Sequence, residues 1–213
     1  GNPYGDGYYD DFNTAVGLDS AGRTQLHHKG KLVIGVENTP TVIFDLMQFL
    51  VIDLGGVVGQ IGMGQHGTAF AHAGMRMGPA ICYEGLYGDF YGDFVRRGAQ
   101  FMAIISNDGW WGDTPGYKHL FTISRLRAIE HRRAIARSAN TGMSGFISAR
   151  GDIGETLGWE KRGVISAAVP LNSELTFYTR YGDYLGRISE YLTLLCVLYY
   201  IAYRVKRKNY LVK

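Results

Sequence analysis

Apolar positions come in short runs separated by glycine-rich or polar aromatic turns, with amphipathic stretches between them and one continuous apolar segment near the end. Residues 30–36 read as a short strand with Leu32, Val33, Ile34 and Val36 as its apolar content, and His27, His28, Lys29 and Lys31 at its mouth. Residues 43–54 are amphipathic and long enough for a helix, whereas 55–67 are so rich in glycine that they predict a mobile loop or weak strands. Residues 77–81 form a compact apolar run, then Cys82-Tyr83-Glu84, then an aromatic, glycine-spaced segment to Arg97. That order predicts strand, sharp turn, helix. A second buried-type strand is expected over 101–105, followed by a polar, aromatic loop over 106–115. Residues 117–138 predict a long helix, with Leu120, Ile123, Arg127 and Glu130 on one face and Arg132, Arg133 and Arg137 at its C-terminal end. Strands are expected at 143–149 and 163–171, with Arg150-Gly151-Asp152 turning after the first. Strand–helix–strand–helix followed by a hairpin predicts a layered α/β domain.

The last element, 191–203, is apolar and aromatic and runs into basic residues. A full span takes about 20 apolar residues, so this one needs Ile188 and the flanking Tyr191, Tyr203 and Arg204 to extend it. Aromatic flanks and a basic tail favour a membrane helix over one docked on the domain, with the tail cytoplasmic and the domain outside. The net charge of +3 changes meaning in that light. Arg204, Lys206, Arg207, Lys208 and Lys213 supply five of the 22 basic side chains, leaving a body with a slight excess of its 19 acidic ones. Such a body offers no electrostatic footprint for nucleic acid. The two cysteines, Cys82 and Cys196, read as free thiols, and residues 1–11 have no signal-peptide pattern. The missing initiator methionine suggests part of a longer protein.

Several side chains are chemically suggestive, each beside a plainer reading. A cysteine that ends a buried strand and opens a helix is placed to be a nucleophile, because helix N-terminal amides stabilise a thiolate and donate to an oxyanion. It is equally placed to be a small buried hydrophobe. Glu84 suits a proton acceptor or the partner of a lysine, or a helix N-terminal acid. Lys29 suits an oxyanion-stabilising ammonium, or a solvated cation in a basic turn. The six histidines show no metal-ligand spacing, and Gly62-Met63-Gly64 is no phosphate-loop fingerprint, so neither a metal nor a cofactor is expected.

Five blocks in order change the weight of these residues. Lys29-Gly30-Lys31-Leu32-Val33 with Glu37, Cys82-Tyr83-Glu84, the loop from Asn107 to Asp113, the stretch from Arg125 to Glu130, and Arg137-Ser138-Ala139-Asn140-Thr141-Gly142 together resemble the carbon-nitrogen hydrolase (nitrilase) superfamily. The Tyr-Glu after the cysteine, Trp110-Trp111-Gly112-Asp113 and the trailing apolar helix narrow the resemblance to its apolipoprotein N-acyltransferases. The resemblance implies a nitrilase-like layered α-β-β-α sandwich lacking its N-terminal part, followed by a C-terminal transmembrane helix. The expected division is a catalytic domain over 1–187, a span over 188–205 and a basic cytoplasmic tail over 206–213. It implies Cys82 as nucleophile, Lys29 as the catalytic lysine, Glu37 and Glu84 as active-site carboxylates, and Tyr83, Trp110, Trp111 and Asn107 around the oxyanion and substrate pocket, the aromatics having core packing as their alternative. The family's general-base glutamate lies well upstream of the lysine, in a context residues 1–25 do not match. Implied partners are a phospholipid acyl donor, a diacylglyceryl apolipoprotein acceptor and the bacterial inner membrane, with the catalytic domain on the periplasmic side. A soluble nitrilase or amidase and a non-catalytic lipid- or partner-binding fragment are the rival readings.

Overall fold

The computed structural model describes residues 11–33, Glu37 and residues 61–211. The helix expected over 43–54, residues 34–36 of the first expected strand and much of the glycine-rich stretch lie outside them. The described residues open with a hairpin absent from the sequence expectation: β1 (Thr14–Leu18) pairs antiparallel with β2 (Thr24–His28). Strand structure therefore precedes Lys29, and Gly30 to Val33 form a bend followed by backbone of no regular structure. A six-stranded mixed sheet follows in chain order: β3 (Phe70–His72), β4 (Met75–Ile81), β5 (Phe101–Ser106), β6 (Ile135–Ala139), β7 (Ser144–Ile147) and β8 (Ile153–Leu157). Its centre, β4-β5-β6, is parallel and its flanks are antiparallel. Parallel neighbours need crossovers, supplied by α1 (Gly88–Arg96) and α2 (Pro115–His131).

Strand alternation assigns the layers. Ala80, Met102, Ile104, Ile135 and Ile147 pack with Tyr91, Phe94 and Val95 of α1 and Phe121 and Ala128 of α2, forming the main core. Met77 and Ile81, of opposite parity to Ala80 on β4, pack instead with Ala15 and Phe70. The hairpin thus lies on the face of β4 away from the helices. Ala15 and His27 are cross-strand partners, and both turn inward.

Two elements differ from expectation. The helix expected over 117–138 stops at His131, where Arg132 adopts the left-handed conformation as C-cap. Arg133 is buried and donates to the carbonyls of Ala99, His131, Arg132 and Glu174, so one cation caps the helix end and ties it to two other segments. Residues 135–139 become β6 because β5 offers a parallel ladder from Met102↔Ile135 to Ser106↔Ala139. Residues 163–171 form no strand. The partner of β7 is Ile153–Leu157, across a turn closed by the Gly151 amide on the Ser148 carbonyl.

After a segment without regular secondary structure come α3 (Phe177–Tyr181) and α4 (Tyr184–Leu211). Within α4, residues Tyr184–Arg204 form a 21-residue stretch of mean hydropathy 1.3, none of it buried against the domain, which is long and apolar enough to cross a membrane.

Candidate active site

Cys82 stands where β4 ends and a 3-10 turn, Cys82–Leu86, begins. Its φ of 46° is left-handed, a conformation that costs a residue with a Cβ about 1–2 kcal/mol. The turn is held by Glu84, whose side chain is fully buried. One oxygen accepts from the Ile81 amide at 2.6 Å and the other from the Gly30 amide at 2.6 Å, while His27 Nε2 lies 3.1 Å from both. Glu84 therefore staples the residue before Cys82 to the residue after Lys29, with every oxygen engaged. Charge-assisted bonds of this kind are about twice as strong as neutral ones.

Lys29 is only 2 % exposed, so the solvated-cation reading fails on burial alone. Its Nζ donates to Glu37 Oε1 at 2.8 Å and Oε2 at 2.7 Å. Glu37 also accepts from the Val33 amide at 2.8 Å and from Asn13 Nδ2 at 3.0 Å. Burial pushes the Glu37 carboxyl up, but these hydrogen bonds and the Lys29 charge outweigh it and hold the group below its ordinary value. The lysine's partner is Glu37 rather than Glu84.

The backbone around Lys29 is equally constrained. Its amide donates to the Asn13 carbonyl at 2.8 Å and its carbonyl accepts from the Gly64 amide at 2.9 Å. A Cβ on Gly64 would collide with the His28 carbonyl oxygen, a backbone atom with no room to yield. Gly64→Ala is therefore expected to lower stability by about 1–3 kcal/mol by overpacking. Thermal unfolding in detergent, read beside that of the conservative Thr14→Ser, checks this.

The loop after β5 supplies the remaining residues. Asp108 is buried and bound by Arg137 through Nη1 to Oδ2 at 3.0 Å and Nη2 to Oδ1 at 3.0 Å, with Ser106 Oγ donating at 2.5 Å. Asn107 Oδ1 accepts from the Gly109 amide at 3.2 Å and from Asn140 Nδ2 at 2.8 Å. Trp110 and Trp111 are 57 % and 44 % exposed, so neither is a core residue. Tyr83 is half-buried, its ring edge-on to Tyr87 at 5.5 Å.

Glu84 thus unites the Cys82 turn with the Lys29 segment, and Glu37 completes the lysine's surroundings. His27, Asn13 and the Asp108–Arg137 pair were not singled out as partners of these residues. Asp108 and Arg137 lie within two of the recognised blocks, whereas His27 and Asn13 carry no local signal.

A strained cysteine at the end of a parallel strand of a mixed sheet, tied through Glu84 to the segment that carries a buried lysine and its glutamate partner, fits a nitrilase-type domain. The fold is shared with an amidase from Nesterenkonia sp., matched at a TM-score of 0.52 and 15% identity over 83% of this chain and 60% of that one. It is shared too with Nit3 of Saccharomyces cerevisiae, a member of branch 10 of the nitrilase superfamily, at a TM-score of 0.53 and 18% identity over 71% and 51%. The carbon-nitrogen hydrolase family model matches residues 2–175, and the chain belongs to that family. Among curated relatives it is similar to the apolipoprotein N-acyltransferase of Chlorobaculum tepidum, 36% identical over 82% of this chain and 34% of that protein. A second, from Verminephrobacter eiseniae, is 34% identical over 79% of this chain and 32% of that protein. The chain spans about a third of the length of these two relatives.

Proposed function

We propose that this chain is the acyl-transferring part of an apolipoprotein N-acyltransferase, moving a phospholipid acyl chain through a cysteine thioester to the α-amine of a lipoprotein's N-terminal S-diacylglyceryl-cysteine. The observation that carries the reading is the Glu84 staple, which ties the strained Cys82 turn to the segment carrying buried Lys29 and its partner Glu37. Exposed α4 supports a membrane setting over a soluble amidase, which would have to bury that surface.

In the proposed reaction Cys82 Sγ attacks the ester carbonyl of the phospholipid. Lys29 Nζ and the Tyr83 amide stabilise the tetrahedral oxyanion, and its collapse expels a lysophospholipid as the C–O bond breaks. The acceptor amine then attacks the thioester, the new amide forms, and the Cys82 thiol is released. All oxygens of Glu37 and Glu84 are engaged by other donors, so the Cys82 proton passes to a different carboxylate, as the family resemblance implies. Asn107 shapes the loop that presents Trp110 and Trp111, whose exposed rings line the acyl pocket and help keep water from the thioester. Residues 1–187 form the catalytic unit, the following segment spans the bacterial inner membrane, and the basic tail from Lys206 onward is cytoplasmic with the domain periplasmic.

Incubated with phospholipid alone, the full protein is expected to gain the mass of one acyl chain on the peptide containing Cys82, removable by hydroxylamine. Cys82→Ala is expected to show no such adduct and no transfer. Normal lipoprotein acylation by Cys82→Ala overturns the assignment.

A further inference from the structure

The junction between domain and apolar helix has an asymmetry the proposed chemistry does not use. One side of α3 is locked to the domain. Thr179 is fully buried, its hydroxyl 2.9 Å from His131 Nδ1 and its carbonyl accepting from Arg96 Nη1 at 2.9 Å. Burial pushes His131 down to about 3, so the ring is neutral: Nε2 donates to the Gly88 carbonyl at 3.1 Å and Nδ1 accepts from Thr179. Thr176 donates to the Glu130 carbonyl at 2.6 Å, and the Asp183 amide donates to Asp89 Oδ1 at 3.1 Å. These bonds fix α3 and the start of α4 on α1 and α2 from several directions.

The other side of α3 faces out. Phe177 and Tyr181, spaced i, i+4 on one helix face, are 61 % and 56 % exposed. Phe177 stacks against both Tyr181, at 4.6 Å between centroids, and Tyr184, at 5.1 Å. Arg180 and Arg187 flank the cluster, Arg187 folding back to the Tyr181 carbonyl. Glu130, Arg132 and Asp183 line the same surface beside Phe177 and Tyr184. An exposed aromatic cluster bordered by charged side chains, on a rigid mount, suits the boundary where lipid headgroups meet acyl chains.

The helix sets the level of this face. The 21 residues Tyr184–Arg204 rise about 1.5 Å each, or roughly 30 Å, the thickness of the hydrocarbon core. With Arg204 and Lys206 at one boundary, Tyr184 reaches the other, and Phe177 and Tyr181 stand among the headgroups. We infer that Phe177, Tyr181 and Tyr184 form an interfacial foot that rests on the lipid surface and, through the Thr179 lock, holds the domain in one fixed orientation on the bilayer. This rests on the reading of α4 as a membrane span and adds a second lipid contact to it. The occupant is lipid because the cluster is continuous with the apolar helix, with Arg180 and Arg187 near it in the chain to meet headgroup phosphates.

Two single-tryptophan additions to the 213-residue chain, F177W and L195W, test it in phospholipid vesicles carrying bromines either near the headgroups or near the chain ends. Emission is taken as the difference from the wild type, which cancels Trp110, Trp111 and Trp159. F177W is expected to lose most of its added emission to shallow bromines and little to deep ones, and L195W the reverse. F177W unquenched with L195W quenched overturns the foot and leaves the span standing. L195W unquenched with F177W quenched overturns the span and leaves the foot. An F177W signal that escapes bromine and shifts to the blue as protein-to-lipid ratio rises places a second copy on this face, and overturns the proposal.

Discussion

Lys29→Met is expected to slow acylation of Cys82 by about a hundred- to a thousand-fold, the loss that follows removal of one oxyanion donor. Methionine nearly matches the stem in length and fills the buried slot, so the change is chiefly one of charge. Two effects then act together. In the proposed reaction the ammonium no longer meets the developing oxyanion, and the Glu37 carboxylate loses its neutralising partner. Glu37 keeps the Val33 amide and Asn13, so the local fold is expected to survive, with an unchanged far-ultraviolet circular dichroism spectrum. The loss falls on the single-turnover acylation rate rather than on phospholipid affinity, because the interaction strengthens only in the transition state. Lys29→Arg is not expected to rescue it, since a planar guanidinium does not fit a 2 %-exposed site shaped around a point charge. Acylation followed by intact mass decides the matter: a rate within a few-fold of wild type removes Lys29 from the mechanism.

Asp108→Ala is expected to be the most destabilising of these changes, by about 3–5 kcal/mol. Both members of the Asp108–Arg137 pair are buried, and the deletion strands a guanidinium whose Nε already has no partner among the described residues. The Ser106 hydroxyl loses its acceptor at the same time. Arg137 retains only the Met143 carbonyl, at 2.6 Å, which cannot neutralise it. Combining Asp108→Leu with Arg137→Met is expected to recover most of the stability, because well-packed apolar residues commonly replace a buried ion pair at little cost. Activity is not expected to return with it. The pair holds the loop whose Asp108 amide and Asn107 side chain meet Asn140, and Trp110 and Trp111 ride on that loop. Thermal unfolding and acyl transfer measured on both variants separate the two effects; equal recovery of both would show that the pair serves stability alone.

The strand, turn and helix around Cys82 were readable because their signals are local. An apolar run stops abruptly, and the period of burial then changes from strand to helix. Where local signals misled, tertiary pairing was the cause. Residues 135–139 carry alanine and arginine, composition that suits a helix, yet a parallel strand is stabilised by a neighbour distant in sequence and lacks the simple alternation of a half-exposed strand. At the sheet edge, Ile153–Leu157 escaped notice because no residue in it is fully buried, whereas residues 163–171 looked like a strand but have no neighbour to pair with. Hairpin β1–β2 was missed because Val16, Leu18 and Leu26 are apolar but exposed, which blurs the contrast between its faces.

The sequence by itself nominates the candidate residues: Lys29, Glu37, Cys82 and Glu84 are carried by ordered motifs, and the apolar run before the basic tail is composition alone. Their partnerships did not. Glu37 lies 8 residues from Lys29, and Glu84 lies 54 from Gly30 and 57 from His27. Which carboxylate neutralises the lysine and which staples the cysteine turn depended on the hairpin carrying His27 coming to rest on β4. Hydrogen bonds are short-ranged and directional, so they are set only once distant segments have been brought within reach. The strained backbone of Cys82 and the lock beneath Phe177 and Tyr181 were decided in the same way, by packing that no local stretch of sequence contains.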